Sequence, residues 1–441
     1  MTEQLALTYP THIATMIQRA DAALEKGGHE HLLIAAGKLQ YRFEDDNPYP
    51  FAVNPQFKAW LPVTQAPGSW LSYTPGQKPK LIYLQPRDYW HVVPEAPDGF
   101  WTEHFEIEIV HTPDQVRQHL PSDPDSCAII GPADSIIEDI APNRPQTVID
   151  YLRFHRAFKT DYEIECMREA NRIGAQAHRA AELTFRSGES EFGIQMAYLH
   201  ASGLTQAELP YSNIVALNQH GAILHYSNFD REPAASADSF LIDAGASFNG
   251  YASDITRSYA APDAEDFQAL IDDMDAMQLE LCDGVRDRRS YAELHIKAHH
   301  DIARILQSHG LVDMTPESAV ESGLTSHFFP HGLGHGIGLQ VHDIGGFMKG
   351  EDGGVIDKPD GHPYLRLTRD LARGMVVTIE PGLYFIDMLL QELRGKPEGK
   401  AVQWDKVEKL RKYGGIRIED DVACTDDTPL NLTREAFKAL E

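Results

Sequence analysis

Hydrophobic and polar positions follow different patterns in the two parts of the chain. The first residues, MTEQLALTYPTHIATMIQRADAALEK, have apolar side chains at helical spacing and predict an amphipathic helix. From Leu32 to about Asn143, short apolar runs such as HLLIAA, KLIYLQP and SCAIIGP alternate with loops rich in Pro, Asp and Gly, which predicts a small α/β domain. We place the end of this amino-terminal α/β domain near residue 158, so that residues 1–158 form one domain and residues 159–441 a second.

The second part combines helices with short strands and turns. Residues 145–174 have a helical pattern, with Thr160 as the N-cap of a helix that connects the domains. A further helical region runs from about residue 263 to 309, and the rest is rich in strands and turns, which predicts an α+β domain. The Gly- and Asp-rich loop 348–362 and the charged stretch 391–412, interpreted as an insertion with a surface helix, carry no recognisable chemical motif.

Charge and cysteine content narrow the class of partner. The 441 residues contain 39 Lys and Arg against 66 Asp and Glu, a net charge of −27, which disfavours nucleic acid or an anionic membrane surface and favours a small molecule. No run approaches the ~20 apolar residues of a membrane span. Secretory features are lacking at the amino terminus, and the four cysteines lie dozens of residues apart, so we expect a cytoplasmic protein.

The stretch SFLIDAGASFNGYASDITRSY predicts a hairpin that brings two aspartates together. Its Asn-Gly pair at 249–250 is the sequence signal of a type I′ turn. Residue numbers of opposed pairs then sum to 499. Asp243 therefore opposes Thr256, and Asp254 opposes Gly245. The aspartates become diagonal neighbours on one face, roughly 7–8 Å apart, unless a bulge breaks the register. Two such anions need a cation if they are buried, although a lone aspartate pair on a hairpin is more often solvated.

Two later segments supply further carboxylates. In GMVVTIEPGLYF, Glu380 ends an apolar strand, and in GGIRIED the alternation turns Arg417 and Glu419 to one face. Taken singly, each glutamate is more often an exposed charge at a strand end than a ligand. Together with the aspartates they indicate a site.

A glycine-rich segment, FFPHGLGHGIGLQVHD, contains His331, His335 and His342. Its four glycines exclude a stable helix, since each costs about 1 kcal/mol there. The first two histidines are therefore not a helical zinc-binding pair, despite their spacing of four. We expect a loop that closely approaches another part of the structure.

Read in order, the motifs D-x10-D, H-G-x-G-H-x-x-G, E-P-G and I-E-D resemble those of the dinuclear metallopeptidases of the pita-bread fold, which is creatinase- and methionine aminopeptidase-like. The runs FEDDNPYPFAVNPQFKAWLPV and LPYSNIVALNQHGAILHY are similar to the bacterial Xaa-Pro dipeptidases (prolidases) and the closely similar organophosphorus acid anhydrolases. The resemblance covers essentially the whole chain and is weakest at 391–412. It implies a pita-bread domain at 159–441 that hydrolyses dipeptides with a carboxy-terminal proline by a metal-bridging hydroxide.

The resemblance also implies roles for individual residues. The metal ligands would be Asp243, Asp254, His335, Glu380 and Glu419. The catalytic residues would be Glu380 as proton shuttle, His225 and His342 at the carbonyl oxygen, and His331. The substrate would be bound by Arg366, Arg417, His331, Tyr211 and Asp45. For Arg417 an ion pair with Glu419 is an alternative. For Asp45, Asp46 and Trp90 the alternative is local packing, but relatives form homodimers in which this region borders the other subunit's site, and we expect a homodimer.

The donor set also bears on the cofactor. Four carboxylates balance two divalent cations, and an oxygen-rich shell with one imidazole suits Mn²⁺, Co²⁺ or Zn²⁺. The resemblance implies two ions of manganese per subunit. Phosphotriester hydrolysis, as a side activity or as the main one, cleavage of longer Xaa-Pro peptides by an aminopeptidase, and a metal-free binding module on the same fold are the alternatives. A metal-free binding module on this fold would have lost some of the five metal ligands, and this sequence has all five.

Overall fold

The computed structural model describes residues 2–441. The α-helices are α1 (Thr2–Gly27), α2 (Pro55–Lys58), α3 (Pro113–Arg117), α4 (Gln146–Arg156), α5 (Asp161–Arg186), α6 (Glu191–Ser202), α7 (Glu265–Cys282), α8 (Tyr291–Ser308), α9 (Pro316–Glu321), α10 (Asp387–Arg394), α11 (Trp404–Leu410) and α12 (Leu432–Lys438). Short 3₁₀ helices span Thr102–His104, Pro124–Ser126, Asn218–Ala222, Leu324–His327, Pro397–Ala401 and Arg411–Tyr413.

The strands are β1 (His31–Ala35), β2 (Trp70–Tyr73), β3 (Lys80–Leu84), β4 (Glu106–Val110), β5 (Cys127–Ile130), β6 (Ile214–Leu217), β7 (Ser239–Asp243), β8 (Ser247–Phe248), β9 (Tyr251–Ala252), β10 (Thr256–Ala260), β11 (Met348–Gly350), β12 (Gly353–Val355), β13 (Val376–Ile379), β14 (Gly382–Tyr384), β15 (Gly415–Arg417), β16 (Asp420–Ala423) and β17 (Leu430–Asn431). Within residues 2–441, every helix falls short of the length and apolar character that a membrane span requires.

One compact unit comprises Met1–Cys166, Asn249–Tyr251 and Met348–Gly354. Its sheet has the order β4-β3-β2-β1-β5, in which β1 pairs antiparallel with β2 and parallel with β5. Alternate side chains of β1, those of Leu33 and Ala35, join Trp70 and Ile82 in a buried core. The α/β class predicted for this part of the chain is confirmed.

The other unit comprises Met167–Phe248, Ala252–Phe347 and Val355–Glu441. Small antiparallel sheets dominate it, with the orders β10-β7-β6, β13-β16-β17 and β14-β15. Helix α7 packs against both β10 and β13. An isolated bridge between Thr256 and Glu419 and another between Gly336 and Val377 tie these sheets to neighbouring loops. This is the predicted α+β domain.

The hairpin has the predicted register. Asp243 pairs with Thr256, and the pairing continues without a bulge to the far end of β7 and β10. Asn249 and Gly250 have φ values of +49° and +84°, positive at both central positions as a type I′ turn requires. The register of β7 and β10 and the turn type are therefore those that the sequence predicted.

Several element boundaries differ from the prediction. The helical pattern of 145–174 is two helices, α4 and α5, interrupted at residues 157–160. Thr160 caps α5 as predicted, because its Oγ1 accepts from the N–H of Glu163 at 3.4 Å while the Glu163 carboxylate accepts from the N–H of Thr160 at 2.8 Å. The loop 348–362 contains the paired strands β11 and β12. The charged stretch 391–412 contains α11 and the end of α10.

Gly245 shows how tightly the hairpin is packed beside the aspartates. A Cβ at this position would lie 2.1 Å from the Ser253 carbonyl oxygen and 2.8 Å from Cε1 of Tyr211. We expect Gly245→Ala to destabilise the protein by about 1–3 kcal/mol, as overpacking does, and to lower the midpoint of thermal unfolding by roughly 1–5 °C. Gly395→Ala is the control, because its Cβ would meet only a carbonyl oxygen at 3.4 Å. Equal midpoints for the two variants would contradict the prediction.

Candidate metal centre

Five side chains from separate segments of the second unit converge on one cluster. They are Asp243 at the end of β7, Asp254 between β9 and β10, His335 on the glycine-rich loop, Glu380 immediately after β13, and Glu419 between β15 and β16. One ligand atom each from Asp254, His335 and Glu419 lies within 4.8 Å of the other two. The Oε1 atom of Glu380 is 3.5 Å from Nε2 of His335. Asp243 joins the cluster through Arg417, as described below.

His335 is held by the glycine-rich loop, which has no regular helix. The backbone of His335 exchanges hydrogen bonds with Thr378 on β13, through the Thr378 Oγ1 at 3.0 Å and the Thr378 N–H at 2.9 Å. Gly334 is required for this approach. It has a φ of +153°, and a Cβ there would lie 2.4 Å from the Thr378 carbonyl oxygen. The predicted close approach of the loop is confirmed.

Arg417 pairs with Asp243. Its Nη2 lies 2.7 Å from Asp243 Oδ2, its Nη1 donates to the Tyr384 hydroxyl at 2.8 Å, and its Nε donates to Thr256 Oγ1 at 3.3 Å. Within residues 2–441 the carboxylate in ion-pair distance of Arg417 is therefore that of Asp243 rather than that of Glu419. The reason is the order of the strands, since β10 and its partner β7 lie beside β15 and present Asp243 to the guanidinium. The three nitrogens of this buried guanidinium are all engaged.

Hydrogen bonds fix the carboxylates of Asp254 and Glu419, which lie close to His335. The Tyr211 hydroxyl donates to Asp254 Oδ1 at 2.5 Å, and the backbone N–H of Asp254 donates to Asp421 Oδ2 at 3.1 Å. Thr256 Oγ1 donates to Glu419 Oε2 at 2.6 Å. Each carboxylate therefore accepts a hydrogen bond from a hydroxyl at one oxygen, and its other oxygen can bind a cation.

The carboxylates of the cluster are buried and repel one another. Burial raises the pKa of Asp243 and raises that of Glu419 well above its ordinary value, and neighbouring carboxylates add to both shifts. Burial raises the pKa of Glu380 to about 7. Burial alone would lower the pKa of His335, but the nearby Asp254 and Glu380 carboxylates raise it. Without a cation, this cluster holds its charges only at a large electrostatic cost.

The donor set fits divalent cations. Asp243 Oδ1 is buried and has no hydrogen-bond donor among the described residues. A buried carboxylate oxygen needs a partner, and a bound cation would supply one. Carboxylate oxygens with one imidazole are the ligands of manganese-type centres, and the buried cysteines lie outside the cluster. The residues present thus fit such ions in their chemistry.

The other predicted site residues surround this cluster. His331 has both ring nitrogens engaged, with Nδ1 donating to the Gly332 carbonyl at 2.8 Å and Nε2 accepting from the Tyr384 hydroxyl at 2.8 Å. Its burial lowers its pKa to about 3, so the ring is neutral at pH 7. The ring of His342 packs at right angles to that of His335, with centroids 4.4 Å apart.

His225 and Arg366 lie at the exposed edge of the same site. Both are close enough for their charges to act on His342. Burial and the charges of His335, Arg366 and His225 lower the pKa of His342 to about 4. The His225 charge also lowers the pKa of His331. The side chains of His225, His331, His342 and Arg366 thus share one electrostatic environment with the carboxylates.

Asp45 belongs to the amino-terminal unit and lies in an exposed turn. Its Oδ1 accepts from the backbone N–H of Asn47 at 3.0 Å, which is the local packing alternative. Trp90 is 76% exposed and packs on Tyr89, with ring centroids 4.7 Å apart. The substrate-binding role of Asp45 stays a prediction.

Sequence reasoning missed three residues that position the ligands. Thr256 lies between Arg417 and Glu419, Tyr384 links Arg417 to His331, and Asp421 accepts from the Asp254 backbone. The predicted register already placed Thr256 opposite Asp243, which was a usable signal. Asp421 follows Glu419 by two residues on a fully buried strand, so a charge that needs a partner could have been inferred there.

Comparison with known proteins agrees with this geometry. Residues 7–154 match the family described as Xaa-Pro dipeptidase, N-terminal domain, and residues 165–426 match Metallopeptidase family M24. The Xaa-Pro dipeptidase of Xanthomonas campestris pv. campestris strain 8004 is 54% identical over 435 residues, which are 99% of each chain. The Xaa-Pro dipeptidase of Stenotrophomonas maltophilia strain K279a is 53% identical over 431 residues, 98% of this chain and 97% of that protein.

Solved structures show the same fold. Aminopeptidase P from Escherichia coli, in its low-pH form, superposes with a TM-score of 0.70 at 22% identity over 98% of this chain and 95% of that one. Proline aminopeptidase P II from Yersinia pestis superposes with a TM-score of 0.68 at 23% identity over 99% and 100%. At this identity the likeness concerns the fold alone. That fold is the predicted one, an amino-terminal domain followed in the sequence by a pita-bread domain.

Fold and cluster together define a metal-dependent peptidase of the pita-bread class. Within that class, the extent and level of the identity are decisive. The chain belongs to the Xaa-Pro dipeptidase family of M24 metallopeptidases.

Replacing Asp254 tests the cluster directly. Asp254→Asn keeps the shape of the side chain and can still accept from Tyr211, but it removes one negative charge and one oxygen ligand. We expect divalent-cation affinity to fall by at least the roughly 10–100-fold that loss of an outer-shell partner costs. The measurement is elemental analysis after dialysis against a defined free-metal concentration. Asp272→Asn, an exposed change on α7, is the matched control. Equal occupancy in both variants would exclude Asp254 as a ligand.

Proposed function

We propose that the protein is an Xaa-Pro dipeptidase, which hydrolyses the bond before the carboxy-terminal proline of a dipeptide. The observation that carries this proposal is the convergence of five donors, Asp243, Asp254, His335, Glu380 and Glu419, on a chain that matches Xaa-Pro dipeptidases along its whole length. The carboxylate-rich donor set supports two divalent cations, manganese by preference, which these five side chains would hold. When bound, such ions polarise a carbonyl and acidify water.

Glu380 is placed to move a proton. Its Oε1 lies 3.5 Å from His335, on the ligand side, and its Oε2 lies 3.7 Å from Nδ1 of His331, on the side away from the cluster. One oxygen can thus hold the centre together while the other takes a proton from water and returns it to the departing proline nitrogen. That nitrogen is a secondary amine and needs the proton to leave. His225 and His342 then donate to the carbonyl oxygen as charge develops on it.

The free carboxylate of a dipeptide requires a cation, since the protein carries a net charge of −27. Arg417 is occupied by Asp243, Tyr384 and Thr256, so its main contribution is to position Asp243. Arg366 is exposed at the edge of the site and has no ion-pair partner among the described residues. We assign the substrate carboxylate to Arg366, with His331 forming the adjacent wall of the proline pocket.

We further propose a cytoplasmic homodimer. The amino-terminal unit carries a group of exposed apolar residues in which Phe43 is 89%, Trp90 76% and Val92 92% exposed. Such a group favours an interface, in which Asp45 of one subunit would reach the substrate of the other. The four cysteines are buried and unpaired, which suits a reducing compartment.

The metal requirement and the substrate length can be tested together. We expect a chelator to abolish hydrolysis of Xaa-Pro dipeptides and Mn²⁺ to restore it, because a cluster without cations cannot activate water. Xaa-Pro tripeptides should be cleaved at least tenfold more slowly by kcat/KM, since they lack a carboxylate on the proline. The assay follows release of proline or of the amino-terminal residue. Turnover by metal-free protein would refute the metal mechanism, and faster tripeptide cleavage would favour an aminopeptidase.

The role of Arg366 predicts a separable kinetic effect. Arg366→Ala should raise KM for dipeptides about tenfold with little change in kcat, as expected for loss of one charged hydrogen bond. The effect should vanish with the corresponding Xaa-prolinamide, which has no carboxylate. Arg373→Ala is the control, because Arg373 pairs with Asp426 on the exposed surface. The same rise in KM for the amide would remove the assigned role.

A further inference from the structure

A second group of potential ligands lies outside the carboxylate cluster. Helix α8 carries His295 and His299 one turn apart, and His362 meets them from the segment before Leu365. His295 Nε2 lies 2.9 Å from His362 Nδ1, and one ring nitrogen of each histidine lies within 4.8 Å of the other two. The group shares no residue with the five donors of the candidate metal centre. We call it the histidine triad.

The surroundings orient the triad as they orient ligands in metal sites. His299 Nδ1 lies 2.9 Å from the buried Thr325 Oγ1, and with the proton on Nδ1 the lone pair of that ring is at Nε2. The ring of Phe329 packs against His299 and His295, with centroids 4.9 and 5.9 Å away. Two of the three rings are thus fixed by the helix and by packing.

The triad is neutral and incompletely bonded. Burial lowers the pKa of His295 to about 2 and that of His299 to about 3, and it also lowers that of His362. Neutral imidazole is the form that binds metal. His295 is 1% exposed, yet its Nδ1 has no hydrogen-bond partner among the described residues. His362 is half-buried, which leaves a route from solvent.

We propose that the histidine triad is a separate cation site with a preference for Zn²⁺. Three imidazoles without a carboxylate suit Zn²⁺, Cu²⁺ or Ni²⁺ rather than Mn²⁺ or Ca²⁺. Three histidines and a water complete a tetrahedral zinc shell. Zn–N bonds of about 2.0–2.1 Å place ligand nitrogens roughly 3.3 Å apart, within the range of separations present here. His362, on its turn, is the ring with freedom to adjust.

Occupancy of the triad has a consequence for the neighbouring site. His362 precedes Arg366 by four residues, so a bound cation ties the Arg366 segment to α8. This consequence rests on the proposed function, whereas cation binding itself does not.

The test measures Zn²⁺ bound by the full-length, chelator-stripped protein after equilibrium dialysis. We expect His362→Ala and His299→Gln each to bind one equivalent fewer than the natural sequence. His300→Ala, the next residue on the same helix, should bind the full number. With Co²⁺ as probe, the natural sequence should show the strong visible absorption of four-coordinate cobalt with nitrogen ligands, and the two triad variants should lose it. Unchanged equivalents and an unchanged cobalt spectrum in both triad variants would overturn the proposal.

A measurement without substitutions guards against unfolded variants. Histidine-specific carbethoxylation, read by mass spectrometry, should modify His362 in the stripped protein and much less after Zn²⁺ is added. Equal modification with and without Zn²⁺ would also overturn the proposal. Loss of peptidase activity with the triad equivalent still bound would instead count only against the carboxylate centre.

Discussion

Mutual repulsion of buried carboxylates is the constraint around which the catalytic unit is built. Asp243, Asp254, Glu380 and Glu419 lie close together away from water, and among residues 2–441 the guanidinium paired with this group is that of Arg417, at Asp243. Like charges at this distance in a low dielectric cost many times what a surface pair costs. The fold tolerates the cluster because divalent cations supply the missing charge. The free energy of cation binding is therefore linked to the free energy of folding of this unit.

Because the repulsion must be managed, neutral donors position the ligands. Hydroxyls of Tyr211 and Thr256 each bind one carboxylate oxygen, and neither adds a charge to the centre. Arg417 reaches Asp243 and, through Tyr384, is connected to His331. This chain of hydrogen bonds runs from Asp243, a proposed metal ligand, to His331, the proposed wall of the proline pocket. A change at Asp243 or at His331 would therefore affect the other residue through these hydrogen bonds, without movement of the backbone.

Local signals in the sequence predicted much of this arrangement. The Asn-Gly turn sets the register of β7 and β10 and so the relation of Asp243 to Asp254, while glycine density excludes a helix around His335. Contacts between distant segments were harder to predict. The partner of Arg417 depends on which sheet lies beside β15, a packing choice that alternation within GGIRIED does not encode. For the histidine triad, the spacing of four between His295 and His299 is visible in YAELHIKAHHDIAR, but His362 comes from a stretch without periodicity.

The order of the ligands along the chain has a consequence for biogenesis. The proposed ligands occur at 243, 254, 335, 380 and 419, so the last is synthesised long after the first. A shortened chain that ends before Glu419 would lack one of the five proposed donors. With the proposed ligand set, a nascent chain gains the capacity for peptide hydrolysis only after Glu419 has joined the earlier donors.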